Sequence, residues 1–73
     1  MTISLIITQA DASTEQFNAL YEFFDGATIF MNNRIANNQF AIHLNDDEPR
    51  RQFEVVQNWL RLIIPAVKAT IQE

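Results

Sequence analysis

The stretch Ala27-Thr-Ile-Phe-Met-Asn-Asn-Arg-Ile-Ala-Asn-Asn-Gln-Phe-Ala-Ile-His-Leu44 decides the fold. Its apolar residues recur at alternate positions, the period of a strand with one face turned to a core. Ile29, Met31 and Ile35 share one face of a first strand; Phe40, Ile42 and Leu44 share one face of a second. A two-residue turn at Asn37-Asn38 joins them, since asparagine tolerates the positive φ that tight hairpin turns demand. That register pairs Ile35 with Phe40 and Met31 with Leu44, so both apolar faces coincide. It also sets Asn33 opposite Ile42 on the core side, a mismatch that asks for a bulge or a frayed edge. A turn at Asn32-Asn33 scatters the apolar residues instead and is rejected.

Upstream, Thr2-Ile-Ser-Leu-Ile-Ile-Thr8 is a short β-branched apolar run, read as a strand buried on most of both faces. A helix start follows. Ser13 can cap the free amides and Gln16 can reach back to it as a capping box, with Ala12 and Phe17 placed as a weak hydrophobic staple. Phe17, Leu20, Tyr21 and Phe24 keep the spacing of one helix face. Gly26, the only glycine, stands where a left-handed residue ends a helix.

Downstream, Asn45-Asp-Asp-Glu-Pro49 supplies a cap, first-turn acids and a proline at a tolerated position. Phe53, Val56, Leu60, Ile63 and Val67 form an inward helical stripe. Pro65 interrupts it, because proline removes a backbone hydrogen bond and clashes with the preceding turn. The expectation is a kink, or a break followed by a short terminal helix to about Ile71.

The resulting order is strand, helix, strand, strand, helix in one domain, residues 1–73. The first helix is a crossover, so the strands it joins run parallel through a right-handed connection. The fold class is α+β: a βαββα chain with a three-stranded, mainly antiparallel sheet in the order 1-3-2 and two helices on one face. It resembles a ferredoxin-like fold lacking its last strand. The first strand then has an unpaired edge that needs cover, and a second copy of the chain would supply it.

A chain of 73 residues makes a small core, and such domains usually lean on disulfides, a metal or a partner. Cysteine is absent and His43 is the only histidine, so disulfides and zinc sites are set aside. The amino terminus carries no signal-peptide pattern and no window reaches ~20 apolar residues, which predicts a cytoplasmic protein without a membrane span. The net charge of −4 disfavours direct nucleic-acid binding and favours a partner with a basic surface.

No catalytic, metal or cofactor motif stands out. His43 alternates with Ile42 and Leu44, so it points to the far sheet face near Asn32, with nothing to orient it as a base. Ser4 and Ser13 have no evident base beside them. Asp46, Asp47 and Glu48 lack the spaced ligands and glycine turn of a calcium loop, and helix capping explains them. Asp46 with Arg50, and Asp47 with Arg51, suit exposed ion pairs. Arg50, Arg51 and Arg61 have acids one turn away, which nearly cancels their field. One glycine cannot build a phosphate loop.

The informative feature is the last long helix. Stepping ~100° per residue, Phe53, Val56, Leu60 and Ile63 span the arc toward the sheet, Trp59 widens it, and Val55 and Leu62 fall nearly opposite. The apolar arc covers roughly 200°, against the ~100° that packing on one sheet needs. Val55, Trp59 and Leu62, with Phe30 pointing off its strand's core face, form the expected protein interface. These features point to a non-enzymatic module that docks on a larger protein, such as a nucleic-acid-processing one, as an inhibitor or regulator. Small acidic inhibitors of phages and mobile elements have this general look. The alternative is a structural homodimer. A minimal enzyme using His43 with Asp46 or Asp47 lacks a pocket to work in.

Overall fold

Alternation governs β1 (Ser4–Thr8): Leu5 and Ile7 are wholly buried, while Ser4, Ile6 and Thr8 are half-buried. The strand thus has one fully buried face, not two. The computed structural model describes residues 3–27, 30–44 and 48–72, with Phe30 described by its backbone only. Helix α1 (Thr14–Gly26) begins at the capping box: the Ser13 hydroxyl accepts the Gln16 N–H at 3.1 Å, and the Gln16 side chain accepts the Ser13 N–H at 3.3 Å. Ser13→Ala should lower the urea midpoint by the equivalent of about 1 kcal/mol; an unchanged midpoint would show the cap to be idle. Phe17, Leu20 and Phe24 make the buried stripe.

Gly26 does not end α1 in a left-handed conformation. No glycine has positive φ; Ala27 closes the helix in extended backbone, and its N–H bonds to the Phe24 carbonyl at 3.1 Å. A tight last turn satisfies the helix end without the left-handed residue. The one positive φ among the described residues belongs to Ala10, at 50°, in the turn leading to α1.

Strands β2 (Phe30–Ala36) and β3 (Gln39–Leu44) flank the Asn37-Asn38 turn, with Ala36 opposite Gln39. The register beyond the turn differs from the simple alternation. A bulge at Ile35 puts Arg34 opposite Phe40, Asn32 opposite Ile42 and Phe30 opposite Leu44. One extra residue turns the rest of a strand over, because side chains alternate with a period of two. Met31 and Ile35 are therefore exposed on the helix-free face. The guanidinium of Arg34 lies 5.0 Å from the Tyr21 ring centre and 5.5 Å from that of Phe17. It also donates to the Ala36 and Asn37 carbonyls at 3.0 and 2.7 Å, so one side chain closes the core edge and pins the bulge. Asn32 donates to the Tyr21 carbonyl at 3.4 Å, while its own carbonyl oxygen is buried without a partner. Polar residues thus occupy the inner face of β2.

Helix α2 (Pro49–Ile63) starts at its proline, and Glu48 makes no side-chain capping bond. Asn45, Asp46 and Asp47, and the ion pairs expected of them, lie outside the described residues. The expected terminal helix is instead a fourth strand, β4 (Lys68–Gln72). Pro65 stops the helix, and beyond it Ala69 and Ile71 alternate with exposed Lys68, Thr70 and Gln72. The stretch reads as a helical continuation only if Val67 is counted from Ile63. The edge of β1 captures it as a strand.

The sheet has four strands in the order β2-β3-β1-β4, every neighbouring pair antiparallel. This corrects the three-stranded 1-3-2 sheet lacking its last strand: the βαββαβ ferredoxin-like order is complete. The β1 edge is covered by the chain itself, so no second copy is needed there. Leu5, Ile7, Phe40 and Ile42 of the sheet join Phe17, Leu20 and Phe24 of α1 and Phe53 and Leu60 of α2 in one core. Both helices therefore sit on one sheet face. Phe40 is its centre, with ring centroids 5.3 Å from Phe17, 5.1 Å from Tyr21 and 6.2 Å from Phe24.

Candidate functional site

The outer side of α2 follows from its heptad-like spacing. Phe53 and Leu60 point inward and are buried, so Val55 falls on the far side, Trp59 on the flank toward α1, and Leu62 on the far side again. They are 62%, 38% and 84% exposed. Ile63, expected in the inward stripe, is also exposed at the last position of α2. The side chain of Phe30, expected on the same interface, lies outside those described.

Helix α1 contributes a residue that the sequence pattern passed over. Phe23 stands at the shoulder of the Phe17/Leu20/Phe24 stripe, and its ring centroid is 5.5 Å from that of Trp59 at an interplanar angle of 30°. It is itself 57% exposed. Phe23 and Phe24 meet edge-on at 5.5 Å. Together Phe23, Phe24, Val55, Val56 and Trp59 line an open depression of about 260 Å³ between the helices. A large aromatic one place off the core stripe of a two-helix layer was the available signal. It marks the side of α1 that meets its neighbour.

The helix layer also separates charge. The exposed acids Glu15, Glu22 and Asp25 lie on α1, which has no basic residue, whereas α2 carries exposed Arg50, Arg51 and Arg61 against Glu54. The apolar seam runs between an acidic rail and a mainly basic one.

Polar side chains also gather on the opposite sheet face. The Ser4 hydroxyl lies 3.0 Å from Nδ1 of His43, which corrects the expectation that Ser4 has no base nearby. The two are directly opposite each other in the β1–β3 ladder, and Met31, not Asn32, is the β2 neighbour of His43. Four residues further along the same ladder Gln39 donates to the Thr8 hydroxyl at 3.1 Å. These cross-strand polar pairs stabilise an open sheet. A nucleophile–base pair needs an orienting group and an oxyanion donor as well; the ladder neighbours here are Met31 beside His43 and Gln72 beside Ser4. No group of three metal-ligating side chains forms among the described residues. Among them no helix is long and apolar enough to cross a membrane.

No protein-family model matches the chain, and neither curated proteins nor solved structures yield a match.

Proposed function

We propose that this chain is a non-enzymatic protein-binding module that docks on a larger protein, as an inhibitor or regulator, through the outer face of its helix layer. The observation that carries the reading is the contiguous exposed patch of Phe23, Val55, Trp59 and Leu62. A monomer gains nothing by leaving an indole and an adjacent leucine in water, whereas a partner's surface would cover both. Tryptophan is among the residue types most enriched at binding hot spots. The acidic rail of α1 and the net charge of −4 favour a partner that is basic where it meets Glu15, Glu22 and Asp25. A basic nucleic-acid-processing protein fits that description, and so does the phage-like inhibitor class.

A homodimer is the second reading, favoured by the charge separation. A twofold axis across the helix layer would lay the acidic α1 of one copy against the basic α2 of the other, with the apolar seams meeting between them.

Trp59→Ala with Leu62→Glu tests both. Leu62 is exposed, whereas Trp59 is 38% exposed and rests on Phe23, so the variant should stay folded with its stability lowered by about 1–3 kcal/mol. Its affinity for the purified partner that wild-type protein captures from its native cells should fall by roughly 30-fold or more. Unchanged affinity in a folded variant removes the docking reading. Light scattering over a dilution series decides the homodimer: a wild-type dimer that the variant dissociates selects it, and a monomer at micromolar concentration rejects it.

A further inference from the structure

The two edges of the sheet are not equivalent. The β2 edge is interrupted by the bulge at Ile35, and the Arg34 side chain occupies the Ala36 and Asn37 carbonyls beside it. Bulges and charged side chains are the usual means of blunting an edge against further pairing. The β4 edge has no bulge, and its one charged residue, Lys68, stands at its start. It pairs with β1 in unbroken register from Ser4↔Gln72 to Thr8↔Lys68. An edge strand turns alternate N–H and C=O groups away from its sheet, so β4 offers a regular template on its outer side.

That edge borders a groove of about 410 Å³ between α2 and β4, whose lining includes Gln57, Leu60, Arg61, Pro65, Lys68 and Ala69. Ala69 leaves room where a larger residue would fill the space beside α2. Leu60 and Val67 lie beneath the groove, almost wholly buried. Gln57 reaches across it from α2 and donates to the Ala69 carbonyl at 2.6 Å. Arg61 and Lys68 line the groove, no carboxylate does, and both cations are exposed. The local charge is thus positive on a chain whose net charge is −4.

We propose that the β4 edge is a second binding site, which takes an extended acidic peptide segment as a fifth strand. The segment's backbone pairs with β4, alternate side chains enter the groove over Leu60 and Ala69, and its carboxylates meet Arg61 and Lys68. Main-chain pairing supplies affinity and the flanking charges supply the choice of sequence, the usual division in strand addition. The Gln57 amide satisfies an edge carbonyl in the free protein and yields it to the incoming backbone. A second copy's β4 fits poorly, since Lys68–Gln72 brings a lysine and no acid.

The test uses the full chain, ¹⁵N-labelled, titrated with an acetylated and amidated hexapeptide of alternating valine and glutamate; the valine–lysine peptide is the control. The glutamate peptide should shift the amides of Lys68–Gln72 and the Gln57 side chain and slow their exchange. Arg61→Glu with Lys68→Glu should weaken it by about tenfold or more and transfer binding to the lysine peptide. If that variant unfolds, salt decides: wild-type affinity should fall steadily with ionic strength. Absence of β4 shifts at millimolar peptide overturns the proposal, as does equal binding of both peptides. So do equally strong shifts from inorganic phosphate or a short oligonucleotide, or concentration-dependent self-pairing through β4. Trp59→Ala with Leu62→Glu should leave the titration unchanged, which separates this site from the helix face.

Discussion

Phe40→Ala should leave no cooperatively folded protein at 25 °C. Phe40 lies on a central strand, wholly buried, with Phe17, Tyr21 and Phe24 all in ring contact. Truncating a buried phenylalanine costs about 3–5 kcal/mol, the lost transfer energy plus the cavity left behind. A single core below about 80 residues rarely supplies more than 3–5 kcal/mol in total. The loss therefore equals the whole margin. Arg34 adds to it, since its guanidinium rests on Tyr21 and Phe17, whose rings would lose their shared neighbour. Urea unfolding followed by circular dichroism is the measurement, with Phe23→Ala as the control. That ring is over half exposed, so its loss should cost about 1 kcal/mol or less. A sigmoidal Phe40→Ala transition near the wild-type midpoint would mean that the core is centred elsewhere.

Ending the chain after Pro65 should be nearly as damaging, and it tests the strand that completes the fold. The cut removes β4 and with it the ladder from Thr8↔Lys68 to Ser4↔Gln72. It also removes buried Val67 and the Asp11 N–H bond to the Ala66 carbonyl at 3.0 Å. Burying a valine contributes about 1.5 kcal/mol or more, and each ladder bond adds roughly 0.5–1.5 kcal/mol. Their sum exceeds the stability expected of so small a domain. The exposed β1 edge then becomes a template for other chains. Loss of a cooperative melt together with growing light scatter is the expected outcome. A monomeric fragment with a sharp transition would show that α2 alone holds β1.

The elements up to β3 were legible because each carries its own local signal. Ser13 and Gln16 announce a helix start by chemistry confined to four residues, and the bonds they form are those the motif implies. The Asn37-Asn38 turn is equally local. The faces of β2 were not legible, because the bulge at Ile35 depends on where the Arg34 side chain finds carbonyls and aromatic rings. Nothing in the alternation of Met31 and Ile35 records that. The patch on α2 was partly legible: the opposed positions of Val55 and Leu62 follow from helical geometry alone. Phe23 was missed, since one aromatic at the shoulder of a stripe means little until the second helix lies beside it.

The sequence by itself determined what a few neighbouring residues decide: helix starts, a hairpin turn, the mixed helix-and-strand class, and an apolar excess on one helix. Tertiary structure alone decided whether residues 68–72 continue a helix or pair as a strand. Weak local preference there yields to the unsatisfied edge of β1, more than sixty residues away in the chain. It likewise decided which face of β2 meets the core, because a single unpaired residue inverts every side chain beyond it.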